Sequence, residues 1–354
     1  MKKKYVVFCT LLICGFAAIA AQEVSRSFYV SSSEGDDDND GMSVTRPMKT
    51  VQALYLKYRD ADNMLRNCCI NLKSNDIFYE SVRYLDSCIV TSYGNGRKPL
   101  LCGFLKLTKK NRWKKVKNRP TVWRIDFSSE NDFTGFHPSL SMNPEFAHDI
   151  GVIYDEKSNT IHGRMLQSLD SLKNEWDFFT SDKTPSNSES IYPHELFLCH
   201  RNPNKETQLN FSSYAIGIYN LTNCTVRNLA VKGFAHHGMA GLRNTTVEFC
   251  EVDVIGGAIQ PNYPAWTRFG NGIECWIGNT ANDNDTIRNC RISRTFDCGA
   301  SIQGISVRMK NAKNIHFINN VFEHCRQAFE HFLVPQDNEL STYNDCEFSG
   351  NICL

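Results

Sequence analysis

One short phrase recurs five times between residues 226 and 353. Each copy alternates apolar residues around a central Asn, Cys or Gly: Val226–Val231, Val247–Val252, Ile287–Ile292, Phe317–Phe322 and Phe348–Cys353. Their starts lie 21, 40, 30 and 31 residues apart. A unit this small cannot bury its own apolar face, but stacked on neighbours it can. The repeat predicts a solenoid, and the two-residue alternation makes its units strands. The uneven period points the same way. Helix pairs would keep a stricter spacing, whereas stacked β-coils hold strand register while the loops between them lengthen outward. The 40-residue interval carries such a growth at about residues 258–270. Middle positions should form columns, with Leu229, Cys250, Cys290, Asn320 and Asn351 one above another. Stacked Asn can hydrogen-bond along the pile, and stacked Cys fill space as small apolar groups.

This pattern resembles a right-handed parallel β-helix of the pectate-lyase-like superfamily, over residues 215–354. The fold class expected is all-β: a parallel β-helix solenoid with a short N-terminal capping helix and a β-rich insertion. Phe28–Val30 reads as a first strand, followed by an Asp/Gly turn and then Val51, Leu54 and Leu56 as a short amphipathic helix capped by Thr50. That order resembles the cap of many secreted β-helix proteins, which hides the open strand edge. The turn Tyr93–Pro99 extends the resemblance to residues 25–105. Residues 130–210 lose the repeat. Hairpins around Lys157–Asn159, and between Glu175–Phe179 and Glu195–Cys199, suggest an insertion packed on the side of the helix. The expected organisation is a signal peptide at 1–20, cap and first coils at 21–129, the insertion at 130–210 and repeats at 211–354. The fifth repeat runs to Leu354 without a capping element, so the expectation is either a shortened member of the family or missing C-terminal coils.

Met1–Lys4, an apolar run from Tyr5 and Ala18-Ile-Ala20 have the form of a secretory signal, too short for a membrane anchor. The expected location is periplasmic or extracellular. The whole chain has 39 basic and 38 acidic residues. Loss of Lys2, Lys3 and Lys4 leaves 36 against 38, a balance that excludes a basic nucleic-acid surface. Several cysteines fall on repeat positions, which favours buried thiols over a disulfide frame. No Cys-x-x-Cys spacing suggests zinc. Asp36, Asp38, Asp40 and Gly41 match the opening of a calcium loop, but its twelfth position is Pro47 instead of a bidentate Glu. Calcium is therefore the one cofactor candidate, and a solvated acidic turn is the plainer reading. The basic, aromatic stretch Lys109–Lys117 reads as a solvent-facing hairpin.

Each repeat is followed by a second strand. Alignment of these strands puts Met239, Ile273, Ala300 and Phe329 in an inward column. Ala240, Glu274, Ser301 and Glu330 form an outward one, and Leu242, Trp276, Gln303 and Phe332 a second outward one. One outer face should thus carry Glu274 and Glu330, with Asp297 at the strand entrance. Paired carboxylates on alternate coils, about 9–10 Å apart at Cα, suit the acid and base or nucleophile of glycoside hydrolysis. Trp276, Gln303 and Phe332 would bind sugar, with His236, His237 and Arg268 approaching from the loop edge to bind a uronate or tune a carboxylate. Each also has a plainer reading: a solvated Glu, a Trp packed under a loop, a histidine in a turn, an arginine paired with a local acid.

Gly270–Trp276 and Phe296–Gln303 resemble phrases of secreted β-helix proteins found with polysaccharide-degrading systems. That resemblance implies carbohydrate-active work on a polysaccharide or oligosaccharide, by hydrolysis or by β-elimination. Lyases of this fold use a Lys or Arg base and a charge neutraliser, often calcium. This face offers no Lys, and Arg268 is its one nearby cation. The expectation is a secreted, monomeric glycoside hydrolase. The alternatives are a polysaccharide lyase with Arg268 or a histidine as base, and a non-catalytic glycan-binding surface protein.

Overall fold

The recurring phrase folds as two short strands joined at a sharp corner. The corner residue sits in the left-handed backbone region: Asn228, Phe249, Asn289 and Asn319 have φ of 58°, 55°, 54° and 56°, and Gly350 has 62°. Asparagine and glycine tolerate this region best, because one hydrogen-bonds locally and the other has no Cβ. The alternation seen in sequence therefore spans a bend, with Thr225–Arg227 on one face and Ala230–Lys232 on the next.

The computed structural model describes residues 24–127, 133–134, 150–181, 195–206, 208–259, 267–277, 283–307, 311–335 and 340–354. The expected signal at 1–20 lies outside them. The chain is a parallel β-helix with three faces. Among the described residues the first face has eight strands, from Arg26–Val30 to Glu347–Ser349. The second has seven, from Leu65–Arg66 through Ile216–Thr222, His237–Arg243, Ile273–Trp276 and Cys298–Val307 to Gln327–Pro335. The third has seven, from Ile77–Phe78 to Ile352–Cys353. Neighbouring strands on each face pair in parallel, as in Ile216–Thr222 on His237–Arg243.

Inward side chains fill the bore. Met239, Ile273 and Ala300 are fully buried and in register, and Phe329 follows them in the same column. Leu229, Cys250, Cys290, Asn320 and Asn351 also stack as expected. Asn320 Oδ1 accepts the Cys290 amide at 2.9 Å, and Asn320 Nδ2 donates to Ile287 O, one coil below, at 3.0 Å. Asn351 repeats both bonds, to the Asn320 amide and to Phe317 O. A buried side chain that both accepts and donates leaves no backbone group of the neighbouring coil unpaired. A second interior column holds Cys68, Cys88, Cys224, Thr245 and Asp285. Cys88, Cys224 and Thr245 donate to Leu65 O, Leu85 O and Leu221 O in the coil beneath. The thirteen described cysteines are all unpaired, and most are buried.

At the N-terminal end the helix Val51–Tyr58 closes the bore with Val51, Leu54 and Tyr55 buried. Thr50 caps it by accepting the Ala53 amide, while Glu80 accepts the Val51 and Gln52 amides. Leu56 faces out, 47 % exposed, because the buried stripe is narrower than its three leucine and valine positions implied. In the acidic turn, Asp36 accepts the Asp38 amide and Asp40 the Met42 amide. No group of three His, Cys, Asp or Glu converges as a metal site among the described residues.

Antiparallel strands begin earlier than residue 130. Phe104–Leu107 already pairs with Leu209–Ser212, which pairs in turn with Ile153–Asp155. A second antiparallel sheet joins Lys114–Val116, Arg119–Asp126, Glu195–Cys199 and Phe178–Ser181. The basic stretch is one strand of that sheet, with Trp113 buried and Lys115 over the Trp123 ring. Both hairpins read from the sequence are present. No helix among the described residues is long and apolar enough to cross a membrane.

Candidate functional site

The second face positions the acids. Register pairs Glu274 with Ser301 and Ser301 with Glu330, so the two glutamates stand two coils apart on the outer side. Trp276, Gln303 and Phe332 form the adjoining column. Leu242 does not join it. Gly241 has φ of 64°, which reverses the alternation and turns Leu242 fully into the bore.

Glu274 is buried, 7 % exposed, although it points outward from the strand. Asn271 Nδ2 and Gln303 Nε2 both donate to its Oε2, at 2.8 and 2.9 Å. His237 Nε2 lies 3.6 Å from the same oxygen. Among the described residues Oε1 takes no hydrogen bond, so the network holds the carboxylate through one oxygen. Asn271 is itself held, since its Oδ1 accepts the Cys298 thiol at 3.0 Å. Sequence reading gave Asn271 no role. Its position three residues before Glu274 is the signal that could have found it, because that spacing bridges a strand's entrance to its outward side chain.

The buried polar atoms around Glu274 are not all satisfied. Gln303 Oε1 and His237 Nδ1 have no hydrogen-bond partner among the described residues. An unpaired polar atom in a buried setting costs about 1–3 kcal/mol. Two of them beside one carboxylate mark places for a ligand's hydroxyls or for ordered water.

Glu330 is half-buried and accepts from Gln327 Nε2 at 3.3 Å. Burial, together with the negative charge of Asp297 and more weakly of Glu274, pushes its carboxyl above the ordinary carboxylate range. Asp297 is half-buried at the strand entrance, where its amide donates to Gly270 O at 3.1 Å. The structure thus brings Glu274, Asp297 and Glu330 onto one face, near enough for their charges to be felt at Glu330.

The loop-edge residues divide. His237 joins the Glu274 network. His236 stacks on Phe269, with ring centroids 3.9 Å apart, and Phe269 meets His237 edge-on. Arg268 makes backbone contacts. Its Nε donates to Gly257 O at 2.5 Å and its Nη2 to Gly151 O at 3.3 Å, and the guanidinium lies over the Phe296 ring at 4.1 Å. Arg268 thereby clamps the insertion to the coil behind the acids. Close backbone packing makes this possible: at Gly256, with φ of 98°, a Cβ would lie 2.3 Å from Gly270 Cα.

No protein-family model and no curated protein matches the chain. Solved structures do. A crystal structure of a GH136 lacto-N-biosidase from Eubacterium ramulus is similar at 15 % identity and a TM-score of 0.45, covering 85 % of this chain and 42 % of that one. This chain therefore spans less than half the length of that protein. A structure described as a glycoside hydrolase is similar at 9 % identity and a TM-score of 0.43, covering 93 % of this chain and 96 % of the other. The complex of XylC with xylose follows at 10 % identity and 0.44, covering 87 % and 65 %.

Proposed function

We propose that this protein is a secreted, carbohydrate-active glycoside hydrolase that cleaves a polysaccharide or oligosaccharide with Glu330 as general acid and Glu274 as nucleophile or base. The observation that carries this reading is the unlike environment of two in-register carboxylates. Burial and its acidic neighbours push the Glu330 carboxyl upward. Glu274 is a carboxylate oriented by two amide donors, with one oxygen free of them. Paired carboxyls with divergent environments divide the acid and base roles of glycoside hydrolysis. Asp297 acts through Glu330, as the charge that helps keep it protonated. Gln303 and His237 supply polar contacts to the sugar, and Trp276 and Phe332 supply apolar surface.

The β-elimination alternative needs a cation at the reacting sugar, and Arg268 is committed to two backbone carbonyls and a phenyl ring. The test is incubation with a panel of plant and host polysaccharides, reading reducing ends and the ultraviolet absorbance of unsaturated uronates together. Reducing ends without the absorbance, abolished in Glu274→Gln while binding persists, support the hydrolase. Both signals together make it a lyase. Binding without either signal, in the wild type, makes it a glycan-binding protein.

A further inference from the structure

The residues at the entrance of the second-face strands repeat one contact. Ile273 pairs with Ala300, the Gly272 amide donates to Cys298 O, and Cys298 pairs with Gln327. Asn271, Cys298 and Gln327 are therefore level with one another. Each lies three residues before a member of the outward column: Glu274, Ser301 and Glu330 respectively. Asn271 Nδ2 donates to Glu274 Oε2 at 2.8 Å, and Gln327 Nε2 donates to Glu330 Oε1 at 3.3 Å. In the coil between them a thiol stands where the other two carry an amide.

That thiol turns to the coil beneath it. Cys298 Sγ donates to Asn271 Oδ1 at 3.0 Å. Cys298, Asn271 and Ser301 are all buried. Burial above all, then the charges of Asp297, Glu330 and Glu274, pushes the Cys298 thiol up, against the opposing effect of the Ser301 hydroxyl. A thiol that keeps its proton is a donor, and of the two ends of the amide only the oxygen can accept from it. Asn271 therefore turns Nδ2 the other way, to Glu274 and, at 3.4 Å, to Ser301 Oγ. Gln327 is exposed, its amide oxygen has no such donor among the described residues, and its bond to Glu330 is the longer one. The same three-residue contact thus holds Glu274 firmly and Glu330 loosely, and the thiol is what differs.

We infer that Cys298 is a positioning residue, whose thiol locks the Asn271 amide in the orientation that holds the Glu274 carboxylate in place. This rests on the hydrolase reading for the role of Glu274, though not for the hydrogen bond itself. Without the thiol, Asn271 Oδ1 is a buried acceptor with no donor, and the amide can swing between Glu274 and Ser301. About a tenfold loss of turnover corresponds to one such hydrogen bond.

Two measurements test this. The first is infrared spectroscopy of the S–H stretch, which lies at lower frequency for a hydrogen-bonded thiol than for a free one. The band missing from Cys298→Ala should move to higher frequency in Asn271→Leu, which removes the acceptor at similar volume. The second is turnover of whichever polysaccharide of the panel yields reducing ends, by wild type, Cys298→Ala, Cys298→Ser and Cys250→Ala. Cys298→Ala should lose about tenfold in kcat with KM unchanged, and Cys298→Ser, which restores a donor, should recover most of it. Cys250→Ala, which truncates a buried cysteine of the middle column, should lower the urea midpoint and leave kcat unchanged. A band that stays in place in Asn271→Leu, a Cys298→Ala that keeps its kcat, or equal losses in Cys298→Ala and Cys298→Ser would each overturn the positioning role and leave the hydrolase standing. A wild type that cleaves nothing overturns the hydrolase and the positioning role together, and a band shift then reports a structural bond alone.

Discussion

Replacing Asp285 with asparagine should stabilise the protein at neutral pH and halve the pH dependence of its stability. Asp285 is buried in the interior column above Thr245, and its Oδ1 accepts the Thr245 amide at 2.9 Å. Its Oδ2 is buried without a hydrogen bond among the described residues. Every lower member from Cys88 to Thr245 donates to a carbonyl in the coil beneath, which a carboxylate cannot do and a carboxylic acid can. Burial above all, with the Asp283 charge added, pushes the Asp285 carboxyl up to about 7, against the opposing effects of the Thr245 amide, the Cys275 thiol and the Arg243 charge.

A rise from 3.8 to about 7 is worth about 4 kcal/mol in linkage, of which about 2 falls between pH 5 and pH 7. The sign follows from proton count. Between the two values the folded state holds a proton that the unfolded state has released, so stability falls as pH rises through that window and levels off above about 7. Glu80, pushed up to about 7 by its own burial, adds a fall of the same sign. The wild-type slope should therefore be about twice that of Asp285→Asn. Asparagine is the informative replacement because Asn320 and Asn351 already use an amide to accept from one backbone and donate to another at the equivalent point of the neighbouring column. Urea midpoints followed by tryptophan fluorescence at pH 5, 6, 7 and 8 read the effect. Parallel slopes for the two proteins, or a variant weaker than wild type at pH 8, would refute the neutral-acid reasoning.

Asn320→Leu should cost about 1–3 kcal/mol, because it strands the Cys290 amide and removes the acceptor and donor of a fully buried ladder; an unchanged urea midpoint would contradict this. If Glu330 is the general acid, the basic limb of the kcat/KM profile should lie above the ordinary carboxylate range and vanish in Glu330→Gln. Asp297→Asn should move that limb to lower pH, since it removes one of the charges that raise Glu330. A limb that stays in place would show that Glu330 does not set it.

Much of the fold was legible because a solenoid repeats its local rules. The column from Leu229 to Asn351, the inward column from Met239 to Phe329 and the cap at Thr50 follow from spacing alone. Reversals of alternation were hidden. Gly241 turns Leu242 inward, and nothing in a hydrophobic pattern announces a positive φ. At the site, register made Glu274, Glu330, Trp276, Gln303 and Phe332 neighbours, as period-two alternation requires. Contacts made by loops were not readable. Glu274 is covered by side chains from the coils on either side, and Arg268 turns to Gly151, which is distant in sequence and near only because the insertion folds back. The antiparallel strands begin at Phe104 rather than near residue 130 because Phe104–Leu107 pairs with Leu209–Ser212, a partner about a hundred residues away.

Across the five repeats the bend between the first and third faces keeps one length, whereas in the N-terminal coils it is longer, from Lys73 to Ile77 and from Tyr93 to Leu100. In each of the five repeats one left-handed residue and its neighbour join the two strands, so Arg227 leads to Ala230 and Glu248 to Glu251 with the same spacing throughout. Within the repeats, variation in coil length therefore falls at the two ends of the second-face strands, and the long antiparallel insertion enters there too. These are the borders of the surface that carries Glu274 and Glu330. The scaffold behaves like a workbench with one fixed hinge and an adjustable fence: segments around the acids can be lengthened, shortened or exchanged while the hinge keeps the stack in register. For an engineer, the surface around the acids and the register of the stack become separate dials on the same molecule.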